Sequence, residues 1–147
     1  MGQQTILEGG CQCGAVRYRI ATQPRWVGHC HCRMCQKAHG APMVSWVAVP
    51  AADVIFVKGA LKYYRSSEKT GRGFCPECGT PVACVPDATP GKTAWFDLAL
   101  ATFDDPTTFT PMMHVWCDSA MPWLPINDHL PRFGRGLEAE EPQAGEK

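Results

Sequence analysis

The chain has 147 residues, the size of one ordinary domain, and its 45% hydrophobic content is enough to bury a core. Lys+Arg and Asp+Glu are equal at 14 each, so the formal charge is zero, which argues against a nucleic-acid binder working through a basic face. No apolar run approaches the roughly 18 residues that a membrane-spanning helix needs.

At the N-terminus, Met1-Gly2 opens like a myristoylation signal, but Ile6 stands where Ser or Thr is required. No positive segment followed by an apolar one is visible, so no export signal is expected and the location is expected to be cytoplasmic. Short strands broken by Gly and Pro follow. In residues 15–20, Val16, Tyr18 and Ile20 share one face while Arg17 and Arg19 take the other. Residues 26–29, 43–49, 54–57, 61–65, 81–85 and 95–100 are further strand candidates, rich in β-branched and aromatic side chains. Only residues 34–39 and the stretch after Thr102 suit short helical turns, because 13 prolines and 14 glycines leave little room for long helices. Residues 1–136 are expected to form a single domain, and residues 137–147, almost without apolar side chains, a disordered tail.

Nine cysteines is far above ordinary usage, and seven of them fall in three clusters. These are Cys11-Gln12-Cys13, Cys30-His31-Cys32-Arg33-Met34-Cys35 and Cys75-Pro76-Glu77-Cys78-Gly79. Clustered thiols in a reducing setting ligate metal more often than they staple distant loops. A Cys-Pro-x-Cys-Gly turn brings two sulfurs together, since Pro76 presets one dihedral and Gly79 admits a turn that a Cβ would oppose. A Cys-x-Cys pair suits an extended segment, where residues two apart project from one face and Gln12 and His31 point away.

Seven sulfurs make four plus three rather than two sets of four. A structural zinc is closed by four protein ligands, whereas a catalytic one keeps three and leaves a position open. Spacing alone does not say which clusters pair. The economical division joins Cys11 and Cys13 with Cys75 and Cys78, leaving Cys30, Cys32 and Cys35 as a local three-thiolate site. That second site is either open or closed by a histidine such as His29, His39 or His114. Cys84 and Cys117 read as small buried hydrophobes.

The segments Gly9-Gly10-Cys11-Gln12-Cys13-Gly14-Ala15-Val16, Cys30-His31-Cys32-Arg33-Met34-Cys35-Gln36-Lys37 and Phe74-Cys75-Pro76-Glu77-Cys78-Gly79-Thr80 resemble the glutathione-dependent formaldehyde-activating enzyme family, the GFA or CENP-V/GFA family. His114-Val115-Trp116, Met121-Pro122-Trp123 and Asp128-His129-Leu130-Pro131-Arg132-Phe133 look like its C-terminal signature. The resemblance implies a mainly-β, β-tent fold of small antiparallel sheets held by zinc. It implies two zincs per chain: a structural one on Cys11, Cys13, Cys75 and Cys78, and a catalytic, more weakly held one on Cys30, Cys32 and Cys35. It also implies a carbon–sulfur lyase of the S-(hydroxymethyl)glutathione synthase type, joining a glutathione-like thiol to a formaldehyde-like aldehyde as a hemithioacetal.

The expected partners are therefore a small thiol and a small aldehyde, with no nucleic acid and no membrane. Arg33, Lys37 and Arg72 are candidates to offset the thiolate charge, and His31, His39 and His114 to move a proton. Trp26, Trp46, Trp95, Trp116 and Trp123 are expected mostly to fill the core. Two other readings stay open, a non-catalytic zinc module that binds a protein and a redox-sensing thiolate switch.

Overall fold

The computed structural model describes residues 4–86 and 94–137. In chain order it contains β1 (Leu7–Gly10), β2 (Arg17–Ile20), β3 (Trp26–Cys30), α1 (Arg33–His39), β4 (Val44–Pro50), β5 (Ile55–Lys58), β6 (Lys62–Arg65), β7 (Thr70–Phe74), β8 (Pro81–Pro86), β9 (Trp95–Ala99) and β10 (His114–Val115). The fold is mainly β with small sheets, as the strand candidates and the family resemblance imply. The described residues fall into two compact units, one of residues up to 26 together with 46–109, the other of residues 27–45 together with those from 110 onward.

In the first unit, alternation in and around β2 buries Val16, Tyr18 and Ile20 almost completely while Arg19 faces solvent. β2 pairs antiparallel with β1 on one side and β5 on the other. The Tyr18 ring meets Phe103 edge-on at 5.4 Å, and its hydroxyl lies 2.8 Å from Thr102 Oγ1. Gly9 is required beside it: a Cβ there would stand 2.4 Å from the Tyr18 hydroxyl and 2.5 Å from the Thr102 carbonyl oxygen. The continuous apolar run Trp46-Val47-Ala48-Val49 of β4 is buried on both faces. Antiparallel pairing then runs β4–β9, β9–β8, β8–β7 and β7–β6. Val47, Val82 and Leu98 form the driest part of this core; each such side chain stabilises the fold by about 1.5–3 kcal/mol through burial.

The second unit is organised around β3. Residues 112–115 run alongside it, with Met112 N–H donating to Val27 O, His29 N–H to Met113 O and His31 N–H to Val115 O. Here β10 is parallel to β3, placing His114 opposite His29 and Val115 opposite Cys30, so the pairing is not antiparallel throughout. Residues 131–134 zip along the other side, through His114 N–H to Pro131 O and Phe133 N–H to His114 O. The seven-residue α1 starts at Cys32, whose sulfur accepts from Cys35 N–H at 3.2 Å, and stops at Gly40, which is left-handed (φ 60°).

Three elements were not expected. β1 and β7 are each half glycine or nearly so, and β10 is two residues long, so none has the side-chain pattern that marks a strand. A Cβ at Gly73 of β7 would meet Leu61 Cδ1 at 2.8 Å and Tyr63 Cε1 at 2.9 Å, so glycine lets these two side chains lie over the strand. The helix expected at residues 34–39 is α1; the stretch after Thr102 forms only one short 3-10 turn, Cys117–Ser119, among the described residues. Trp46 is fully buried, but Trp116 and Trp123 are exposed at 39% and 67%, so the indoles do not collectively fill the core. No helix among the described residues is long and apolar enough to cross a membrane. The expected tail lies outside the described residues from 138 onward.

Candidate metal centres

Cys11 leaves β1 into a tight loop closed by Cys11 N–H donating to Val16 O and by Gly14 N–H donating to Cys11 O, with Gly14 at φ 79°. Cys75 leaves β7 into the second turn, where Gly79 N–H donates to Cys75 O at 2.9 Å and Gly79 takes φ 78°. These turns bring the sulfurs of Cys11, Cys13, Cys75 and Cys78 within 4.8 Å of one another. Cys11 Sγ lies 3.6 Å from Cys13 Sγ, which lies 3.8 Å from Cys75 Sγ. A tetrahedron with metal–sulfur bonds of about 2.3 Å has edges of about 3.8 Å, so the spacing is that of ligands around one zinc-sized ion. It is far from a disulfide, and none of the nine cysteines is disulfide-bonded.

Backbone amides already face these sulfurs. Val16 N–H donates to Cys11 Sγ at 3.2 Å, and Glu77 and Cys78 N–H donate to Cys75 Sγ at 3.4 and 3.5 Å. The bond from Val16 favours the thiolate of Cys11. Thr80 adds to this at Cys78: its hydroxyl and its backbone N–H push that thiol down to about 5.

The second cluster is local. Cys30 ends β3, Cys32 caps α1 and Cys35 lies in its first turn; their sulfurs fall within 4.8 Å of one another, with Cys30 and Cys35 at 3.6 Å. Contact with the Cys32 and Cys35 sulfurs, and then burial, hold the Cys30 thiol well above the ordinary thiol range. Three thiolates share so small a space only around a cation. The donor sets of both clusters thus fit zinc, one with four sulfurs and one with three.

Of the histidines weighed as a fourth ligand, none joins the three sulfurs at that spacing among the described residues. His29 and His114 group with Asp128 instead, and His39 ends α1 outside both groups. His114 is 1% exposed and its two nitrogens are both engaged: Nε2 lies 2.9 Å from Asp128 Oδ2, and Nδ1 lies 2.9 Å from His31 Nε2. With the Asp128 carboxylate accepting from Nε2–H, Nδ1 accepts from His31 Nε2–H, and the fully buried His31 Nδ1 is left without a partner. Burial, followed by the neighbouring His114, lowers the pKa of both His29 and His31, favouring neutral rings. The His31–His114 pairing and the role of Asp128 were not visible in the sequence; His114 was a candidate zinc ligand and proton carrier there, but Asp128 stood only within a C-terminal signature, and a separation of 14 residues carries no geometric signal.

Gln36, 3% exposed, ties this unit together. Its Nε2 donates toward His31 O at 2.8 Å and toward Pro42 O and Ser119 O at 3.1 Å, and its Oε1 accepts from Arg33 at 2.7 Å. One helical face, bearing Arg33, Gln36 and Lys37, borders an open groove of about 290 Å³ completed by Pro42, Met121 and Trp123. Arg72, by contrast, is buried in β7, where its Nε donates to Ser66 Oγ. Cys84 and Cys117 are half-buried and belong to neither cluster.

The sequence pattern of the glutathione-dependent formaldehyde-activating enzyme family matches residues 6–119. A curated Halomonas elongata protein, provisionally named as such an enzyme, is 31% identical over 83 residues, covering 51% of this chain and 53% of that protein. The match thus spans about half the length of that relative. A crystal structure of a Rhodobacter sphaeroides protein superposes with a TM-score of 0.52 at 17% identity, covering 86% of this chain and 98% of that one, a likeness of fold alone.

Proposed function

Because the chain belongs to the glutathione-dependent formaldehyde-activating enzyme family, we propose that it joins a glutathione-like thiol to a small aldehyde, in the manner of an S-(hydroxymethyl)glutathione synthase of the carbon–sulfur lyase class. The observation that carries this reading is the unequal pair of sulfur clusters, four thiols in one and three in the other, with no histidine among the described residues joining the three at ligand spacing. In this reading Cys11, Cys13, Cys75 and Cys78 hold a structural zinc, and Cys30, Cys32 and Cys35 hold a second whose remaining position is for the substrate. A zinc bound there supplies positive charge that favours the thiolate form of an incoming thiol.

The chain's own residues bind and orient. The groove beside α1 presents two cations, Arg33 and Lys37, to the carboxylates of a glutathione-like molecule, with Trp123 and Met121 against its apolar stem. Gln36 fixes the backbone between Cys30 and Cys32 by its bond to His31 O, and the Asp128–His114–His31 chain fixes the same segment from the imidazole side. Held in this way, the thiolate sulfur attacks the carbonyl carbon, a C–S bond forms, and the carbonyl π pair moves to oxygen and takes a proton to give the hemithioacetal. Proximity supplies the acceleration.

The test is exchange spectroscopy on mixed glutathione and formaldehyde together with metal analysis. Two zincs per chain and accelerated adduct exchange are expected. Cys30→Ser should leave a folded protein without acceleration, whereas Cys75→Ser should lower folding yield. A two-zinc protein that does not speed the exchange would favour a non-catalytic zinc module instead.

A further inference from the structure

We propose that His29, His114 and Asp128 form a third cation site, for a divalent first-row transition ion, distinct in its ligands from both sulfur clusters. One ligand atom from each lies within 4.8 Å of the other two. The parallel register of β3 and β10 sets His114 directly opposite His29, with ring centroids 4.8 Å apart, and Asp128 reaches the same point from the loop that follows.

Proximity alone would be a weak argument. The stronger one is that every prospective ligand is held from behind. His29 Nδ1 lies 2.8 Å from Ser45 Oγ, leaving Nε2 as its available nitrogen. His114 Nδ1 is 2.9 Å from His31 Nε2, so its Nε2 is the nitrogen turned toward Asp128. Asp128 accepts from Leu130 N–H on Oδ1 at 3.1 Å, which leaves Oδ2 directed at His114. Arg132 spends its guanidinium on the backbone oxygens of Ile126 and Asp128 and not on the carboxylate. Orientation of each imidazole through its far nitrogen, and of the carboxylate through its second oxygen, is how proteins prepare metal ligands.

A hydrogen bond between His114 and Asp128 could serve only to anchor the loop. It does not account for His29, which makes no bond to either residue yet is placed beside both with its second nitrogen spare. Two imidazoles and one carboxylate suit zinc, cobalt, nickel or ferrous iron, with remaining positions for water. The cation replaces the proton between His114 Nε2 and Asp128. For the His114–His31 bond to persist, His114 carries a proton on Nδ1, His31 Nε2 accepts, and the displaced proton resides on the buried His31 Nδ1, so binding is coupled to one tautomer shift of His31.

The site is tested with cobalt(II) on full-length protein whose sulfur clusters are filled with zinc, by equilibrium dialysis and absorption, and the readout does not depend on any activity. One further equivalent of cobalt is expected, without thiolate-to-cobalt charge-transfer absorption and without release of zinc. His29→Ala and Asp128→Asn should each weaken that equivalent at least about tenfold, and Ser45→Ala by up to about the same factor. His29 is the variant of choice, being only partly buried, whereas loss of the buried His114 would disturb folding. Absence of a further equivalent, its persistence unchanged in His29→Ala, or a charge-transfer band accompanied by zinc release would each overturn the proposal.

Discussion

Replacing Gln36 by alanine tests how the second sulfur cluster is held. The side chain is 3% exposed and its amide group faces the carbonyl oxygens of His31, Pro42 and Ser119, with Arg33 bonded to its oxygen. An NH₂ carries two hydrogens, so at most two of the three contacts count at full strength. At about 1–1.5 kcal/mol per bond, plus the cost of leaving buried carbonyls without donors, the loss comes to about 2–4 kcal/mol. With a urea dependence of about 2 kcal/mol/M, the unfolding midpoint should fall by about 1–2 M. The measurement is urea unfolding at fixed free zinc, since metal release would otherwise shift the transition by mass action. His31 O lies between Cys30 and Cys32, so metal at the three-sulfur cluster should be lost to a chelator sooner than in the parent while the four-sulfur cluster keeps its own. Gln36→Leu, which restores volume but no donor, should be no better than Gln36→Ala. A midpoint change under 0.3 M, or rescue by Leu, would refute the hydrogen-bond account.

Gly9→Ala should destabilise by about 1–3 kcal/mol, because the added methyl meets a backbone oxygen that cannot step aside; Tyr18→Phe, which only removes the hydroxyl contact with Thr102, should cost about 1 kcal/mol. Thermal unfolding ranks the two, and an inverted order would contradict the packing argument. Asp104 is lowered by its hydrogen bonds from Arg17, and Asp128 by its bond to His114, both from an ordinary value of 3.8. Their folded forms therefore bind fewer protons than the unfolded chain, so this stability is present above about pH 4 and disappears as pH falls through the lowered values. Asp104→Asn should flatten the acid limb of a stability–pH profile; an unchanged limb would count against it. Charge removal at the groove, Arg33→Ala with Lys37→Ala, should raise KM for glutathione at least about fivefold and leave a neutral thiol such as 2-mercaptoethanol unaffected, by analogy with other carboxylate-binding cations. Equal effects on both thiols would move the binding site elsewhere.

Local chemistry made much of this protein legible from residues alone. Three cysteine clusters announced groups of sulfurs able to hold metal, because i,i+2 and i,i+3 spacings place sulfurs together whatever the rest of the chain does. The four-plus-three arithmetic followed without coordinates. Alternation marked β2, and the apolar run of β4 marked a strand buried on both faces. What local pattern does not encode is contact between residues far apart in the chain. The glycine-rich β7 is a strand because its neighbours β6 and β8 supply the hydrogen bonds, and the two-residue β10 because β3 lies beside it. The parallel register that sets His114 against His29, the donation of His31 to His114, and the arrival of Asp128 are products of that pairing. Backbone hydrogen bonds between distant segments decided them, and their energy depends on closure of the fold rather than on any short stretch of sequence.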